Sequence, residues 1–363
     1  MRFLKRTASA LALGFVLAGG SVVAVNYTAP VAVAQDMSTP EGKLRTIMEM
    51  QGYPPGVLNW SSVEESGSDL IAHGVYADVK SYNLGFDTVP LGDMRVSGIE
   101  IEQDKYVTAF RAEFTGITVN LAELMATGQK MSQAGGMAAQ AGSGFAMMAG
   151  YIQGLGYTEL KIEMNLATDI DLSSGDMVQD FTVDVADAFD LGVNIGMTGA
   201  TTAYLDWAKA NALKLYLDRS PEAMAEIQKQ MADPNGPLAT IGFRRYALSF
   251  DDQGLMPKLE PQLAQMRPMM LGTNPDGTPK TEMSEADLQA AATQMGGGVM
   301  PADKMLPLVK AFYNFVMSPD VIKIAVNVDP ALTMTEMQSM SNMAGSAGSG
   351  VDWASRVTFE ASN

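Results

Sequence analysis

The chain has 363 residues, no cysteine and one histidine, and its 41 acidic against 24 basic residues leave a formal net charge of −17. The missing thiols exclude disulfides, thiolate nucleophiles and cysteine metal sites, and a single imidazole excludes a zinc centre with several histidine ligands. So acidic a chain, with no basic block, is repelled by nucleic acid and by anionic headgroups, while 47% hydrophobic against 18% charged residues describes a folded body and not a disordered tail.

Residues 1–34 read as an export leader. Arg2, Lys5 and Arg6 make a basic head, the run from Ala8 to Val25 is uncharged, and Ala32-Val33-Ala34 offers a small-x-small cleavage site before Gln35. Leu17-Ala18-Gly19-Gly20 begins like a lipoprotein signal, but the acceptor cysteine is missing. The expectation is a periplasmic or secreted chain from Gln35 onward. An uncleaved anchor is the alternative, because the uncharged run approaches the roughly 17–20 residues of a bilayer span. No later segment is apolar for long enough to cross, so no transmembrane segment is expected after cleavage.

Residues 35–157 form an N-terminal hairpin block. Val57 to Val79 reads as a hairpin turning near Glu65-Ser66-Gly67-Ser68. Met94 to Ile101 and Tyr106 to Val119 form a second, turning at Gln103-Asp104-Lys105. The alternation slips phase at Gly98 and near Gly116, where bulges are expected. From Ala134 to Gly156 the chain is nearly all Ala, Gly, Met and Gln without a charge. Each interior glycine costs a helix about 1 kcal/mol relative to alanine, so this stretch reads either as a mobile lid or as a helix packed closely through small residues.

Residues 158–343 open with the cleanest period-two pattern. Leu160 to Leu166, Phe181 to Val185, and Phe189, Leu191, Val193, Ile195 and Met197 alternate with polar neighbours across short turns, which predicts an antiparallel meander with one dry face. Later strands are expected at Ile241 to Phe250 and Ile322 to Val328. Helices are expected from Ser220-Pro221-Glu222, with Met224, Ile227 and Met231 on one face, and over Pro301 to Val316 with Leu306, Val309, Phe312, Tyr313 and Val316 as the core stripe. Ser284 to Asp287 and Thr333 to Glu336 resemble capping boxes. Asp233 to Pro237 and Thr273 to Pro279 read as turns or loops. Residues 344–363 read as a Gly/Ser/Ala linker to a short strand, Val357 to Phe359. The two hairpin blocks share the pattern Ser-Gly-(Ser)-Asp before an alternating strand, which is compatible with a weak internal repeat.

The residues that carry chemistry are few. His73 lies in a strand pattern, and no Gly-x-Ser-x-Gly elbow or phosphate-binding glycine loop accompanies it, so a hydrogen-bonded sheet histidine is the expectation. Carboxylate pairs are available at Asp184, Asp187 and Asp190 and at Asp251-Asp252, where solvated strand ends and helix capping explain them. Asp169-x-Asp171-x-Ser173 with Asp180 has part of a calcium-loop spacing, but its glycine, Gly175, falls one place late and a hairpin turn fits better. Met334, Met337, Met340 and Met343 fall every third residue, a spacing suited to cuprous copper. On an α-helix steps of three drift by about 60° each, so neighbours alone share an ion, and methionine as core filler is the competing reading.

Asp252-Gln253-Gly254-Leu255, then Phe315-x-x-Ser318-Pro319-x-x-Ile322-x-Ile324, then Asp329-Pro330 resemble a pattern in uncharacterised secreted envelope proteins of proteobacteria. The resemblance covers Leu160 to Pro330; it implies export and the meander and carries no activity. The expected fold is α+β, a long curved antiparallel meander packed on one face by several amphipathic helices. The expected function is an exported, non-enzymatic envelope protein that binds an apolar ligand such as a lipid, with Phe189, Leu191, Val193, Ile195 and Met197 on the ligand-facing or core-facing side and no cofactor. A structural or partner-binding envelope protein is the alternative, and cuprous copper binding a further one.

Overall fold

The structure, a computed structural model, describes residues 37–363 apart from 52, 54, 81–86, 134–135, 217–219, 232, 234, 275, 279, 297–299, 334–335 and 337–352. The expected leader, the methionine run after Thr333 and the expected linker before residue 351 therefore lie outside the described residues. Among those described, eleven strands form one open antiparallel sheet, and helices occupy the connections. The mixed α+β class and the antiparallel sheet stand as expected.

Helix α1 (Pro40–Met50) comes first and is absent from the expectations above. Its start is nevertheless legible: Thr39 accepts a hydrogen bond from the Gly42 N–H at 3.0 Å, Pro40 occupies the first turn and Glu41 complements the dipole. Strands β1 (Leu58–Asn59) and β2 (Ser62–Ser66) share one side of β3 (Asp69–Asp78), so together they form a broken edge strand. β4 (Thr88–Glu102) and β5 (Tyr106–Asn120) follow as the second expected hairpin. Its register slips between Ser97 and Glu100, and that of the next pair between Phe114 and Ile117; Gly98 and Gly116 sit in these slips with φ of +58° and +76°. Both predicted bulges are therefore present. At Gly92 (φ +71°) a Cβ would lie 2.0 Å from the Thr115 carbonyl oxygen, so only glycine fits there.

Between β5 and the next strand, the chain makes a helical hairpin of α2 (Leu121–Ser132) and α3 (Gly136–Gly154). Asn120 caps α2 by accepting from the Ala122 and Glu123 N–H groups. The glycine-rich stretch is thus largely helical, the second of its two expected readings. The meander β6 (Glu159–Asp171), β7 (Asp176–Val185) and β8 (Phe189–Thr198) follows, then α4 (Thr202–Tyr216) and α5 (Pro221–Met231). β9 (Gly242–Asp252), α6 (Leu255–Leu271), α7 (Glu285–Gly296), α8 (Ala302–Met317), β10 (Val321–Thr333), the single turn α9 (Trp353–Arg356) and β11 (Val357–Ser362) complete the chain. The sheet order is β1-β3-β4-β5-β6-β7-β8-β9-β10-β11, with β2 beside β1 on β3.

The chain divides into two compact units, one running to Val183 and including Gly199–Ala239, the other made of Asp184–Thr198 and Thr240–Asn363. In the first, Leu44, Ile47 and Met48 of α1 are buried in one cluster with Val75 of β3, Met94 of β4 and Phe110 of β5. Its α5 buries Ala223 and Ile227, while Met224 is half-buried, and Trp207 Nε1 of α4 donates to Gln230 of α5 at 2.6 Å. In the second unit, Leu288 of α7, Met305 and Val309 of α8, Val328 and Leu332 of β10 and Val357 of β11 form a cluster. The α8 stripe departs from expectation at Phe312, which is 45% exposed, whereas Ala311 beside it is buried. The rest of the stripe holds: Val309 is buried, Leu306 and Tyr313 pack against the cluster, and Met305 and Ala311 add to the contact.

Candidate functional site

The second unit contains the five residues singled out on β8. Leu191, Val193, Ile195 and Met197 are buried and Phe189 is half-buried, while Asp190 and Asn194 alternate with them. Pairing with β9 sets Leu191 opposite Phe250 and Val193 opposite Leu248, so the apolar face continues onto the next strand. At the Phe189 end the Phe250 ring stacks on Phe189 at 5.6 Å and 23°, and Phe315 of α8 meets Phe250 edge-on at 5.6 Å and 84°. All three rings are half-buried. The result is a three-ring apolar platform with part of its surface in water, and offset and edge contacts of this kind hold the rings in fixed orientations. Phe250 and Phe315 were not among the predicted site residues; the only sequence signal for Phe315 was its place in the Phe-x-x-Ser-Pro pattern.

The opposite face of the same strands brings together three of the carboxylates named from sequence. Asp190 pairs directly with Asp251 across β8 and β9, and Asp184 hydrogen-bonds to Asp190. Burial, then the charge and hydrogen bond of Asp184, then the charge of Asp251, push the Asp190 carboxyl above the ordinary range, with a Gln253 Nε2–H donor at 3.3 Å opposing. Asp190 Oδ1 itself is shut away from solvent without a hydrogen-bond partner. Asp187 and Asp252 stand apart from this group. Asp187 is the positive-φ turn residue (+60°) between β7 and β8, and Asp252 Oδ1 accepts from the Met256 N–H at 2.8 Å at the start of α6.

His73 Nδ1 lies 3.0 Å from Asp93 Oδ2 and its Nε2 lies 3.6 Å from Glu64 Oε1, while Asp93 also accepts from the Gly74 N–H at 2.9 Å. The imidazole sits in the slip of the β3–β4 register, and the Asp93 hydrogen bond leads in raising its pKa, against the lowering effect of burial. This is a hydrogen-bonded sheet histidine. Asp171 accepts from the backbone and hydroxyls of Ser173 and Ser174 at the β6–β7 turn, which draws its pKa down to about 2 and explains the calcium-like spacing as turn chemistry. Among the described residues, no group of three or more histidines and carboxylates is placed to hold a metal ion. Met334, Met337, Met340 and Met343 fall outside the described residues.

An open cavity of about 360 Å³ in the second unit lies between α8 and β11, lined in part by Asp303, Leu306, Lys310, Asn314, Ala361 and Ser362. None of the β8 residues lines it. The chain matches no protein-family model and no curated protein.

Proposed function

We propose that the chain is an exported, non-enzymatic envelope protein that holds an apolar ligand, the acyl chain of an envelope lipid, against the apolar face of its sheet. The observation that carries this reading is the Phe189–Phe250–Phe315 platform, three contacting rings that continue the buried β8 stripe yet keep part of their surface exposed. A sheet with one dry face has to cover it, and helices roofing a curved meander leave a groove wherever the curvature outruns them. Phe189 is where the ligand meets that face, with Leu191, Val193, Ile195 and Met197 as its floor. The leader-like residues 1–34 and the resemblance to secreted envelope proteins support export to the compartment where such lipids reside.

Uptake of a fluorescent fatty acid, together with native mass spectrometry of the mildly extracted protein, tests the proposal. Wild type is expected to take up the probe, and Phe189→Asp to lose most of the signal because a carboxylate is placed among apolar rings. No uptake and no co-purifying lipid would remove the idea.

One observation favours a second reading, a partner-binding envelope protein. Among the described residues β11 is an edge strand that pairs only with β10, and the cavity beside it runs along α8, so an added strand would find both backbone partners and a side-chain pocket. Crosslinking in intact cells through Ser362→Cys, the chain's only thiol, gives a defined protein adduct in this case and none if the ligand is a lipid.

A further inference from the structure

Strand β9 is covered less well than the strands on either side of it. None of its residues from Phe243 to Asp252 is buried, whereas Leu191, Val193 and Ile195 of β8 and Ile322 and Val328 of β10 are. Pairing runs without a slip from Arg245 to Asp251 on both sides. It sets Tyr246, Leu248 and Phe250 opposite Ile195, Val193 and Leu191 of β8 and opposite Val326, Ile324 and Ile322 of β10. Side chains two apart point the same way along a strand, so these three form one row on the apolar face. Helix α8 packs on the β10–β11 side, where Val326 and Phe359 join its cluster, and reaches the row through the contact of Phe315 with Phe250. Leu248 stays half-buried and Tyr246 is 40% exposed.

The two ends of this row differ in chemistry. At one end Phe250 belongs to the three-ring platform. At the other, the Tyr246 hydroxyl makes no hydrogen bond among the described residues. Burial of the ring pushes the phenol's pKa up, so the hydroxyl keeps its proton and remains a donor across the physiological range. The step from Phe250 to Tyr246 spans about 14 Å, roughly the length of a twelve-carbon acyl chain. An apolar row with a donor at its more exposed end suits an extended chain with one polar terminus. Building on the lipid reading above, we infer that the acyl chain lies lengthwise along β9, its methyl end among Phe189, Phe250 and Phe315 and its carbonyl oxygen accepting a hydrogen bond from the Tyr246 hydroxyl. The reverse orientation would bury the carbonyl among rings, where its desolvation goes uncompensated, and leave the methyl end at the wetter side. The head group projects into solvent beyond Tyr246. A free fatty acid and an acyl ester share the carbonyl that this contact reads.

Displacement of a fluorescent probe from the full chain tests this placement. The probe is diphenylhexatriene, which has no hydrogen-bonding group, and the competitors are dodecanoate and methyl dodecanoate. Wild type is expected to take up the probe, and Tyr246→Phe to take it up equally, since the ring is kept and only the hydroxyl is lost. Displacing the probe from Tyr246→Phe should then need about three- to tenfold more competitor, the size of one lost hydrogen bond. A penalty confined to dodecanoate assigns a free acid as the head group, one confined to the ester assigns an esterified lipid, and an equal penalty assigns the carbonyl they share. Unchanged displacement by both competitors overturns the placement and leaves the lipid reading standing. Weaker probe uptake by Tyr246→Phe also overturns it, because the tyrosine then serves the groove's structure and not a carbonyl. No uptake by wild type removes the lipid reading and this placement together.

Discussion

Asp190 shows how one side chain couples this fold to pH. Its folded-state pKa lies above the ordinary carboxyl value, so the folded state holds a proton that the unfolded chain has already released. Stability from this group is therefore lost as pH rises through the folded-state value. Asp190→Asn is expected to be more stable than wild type at neutral pH, and the difference should vanish below about pH 4, where both states are protonated. Urea titrations at several pH values measure this. Lys304 is the opposite kind of residue, a charge whose partners are all carbonyls. Its Nζ donates to Ala354 at 2.6 Å, Val357 at 2.9 Å and Ser355 at 3.1 Å, tying the start of α8 to the junction of α9 and β11. Lys304→Met keeps the stem and removes the donors, and should cost about 2 kcal/mol in denaturant unfolding.

At the scale of elements, the α2–α3 hairpin sets helix propensity against packing. Gly142→Ala gains about 1 kcal/mol of propensity, yet its Cβ would sit 2.4–2.6 Å from Met131, Gly128 and Ser132 atoms of the facing helix. The helices have to separate, and a net loss of about 1–3 kcal/mol is expected. Gly144→Ala, with nothing within 4 Å, keeps the propensity gain and should stabilise by up to about 1 kcal/mol. Thermal unfolding of the pair separates seam from surface on one helix. The strands follow a simpler rule. Burial alternates with the sequence from Leu191 to Ile195 of β8, and where β4 and β5 lose phase a glycine with positive φ marks the slip.

For the whole molecule the governing quantity is a net charge of −17. Like charges spread over the surface disfavour the folded state, and screening relieves them. The melting temperature is expected to rise between low salt and about 0.15 M sodium chloride, where the Debye length is about 8 Å. The isolated ion pairs, such as Lys43–Glu65 at 2.5 Å, are too exposed to reverse that trend. A melting temperature that falls with added salt would mean that specific pairs outweigh the general repulsion.

The strands were legible because a one-sided sheet writes its burial into every second residue, and that periodicity survives without knowledge of the partners. The meander through β6, β7 and β8, the bulges at Gly98 and Gly116 and the turn chemistry of Asp171 were all readable on those terms. Helices α1, α2 and α4 were not anticipated: α4 has only a faint 3.6-residue period, whereas the spacing of Leu44, Ile47 and Met48 in α1 and the Thr39 and Asn120 helix starts are signals the sequence does carry. The candidate sites divide in the same way. That Asp184, Asp190 and Asp251 are carboxylates on strands could be read from the chain, but their meeting depends on the β8–β9 register across an intervening pair of helices. The Phe189–Phe250–Phe315 platform and the part-exposed row along β9 likewise depend on which faces the neighbouring elements cover. Local sequence sets the period of a segment, whereas contacts between segments far apart along the chain set which side of it meets water.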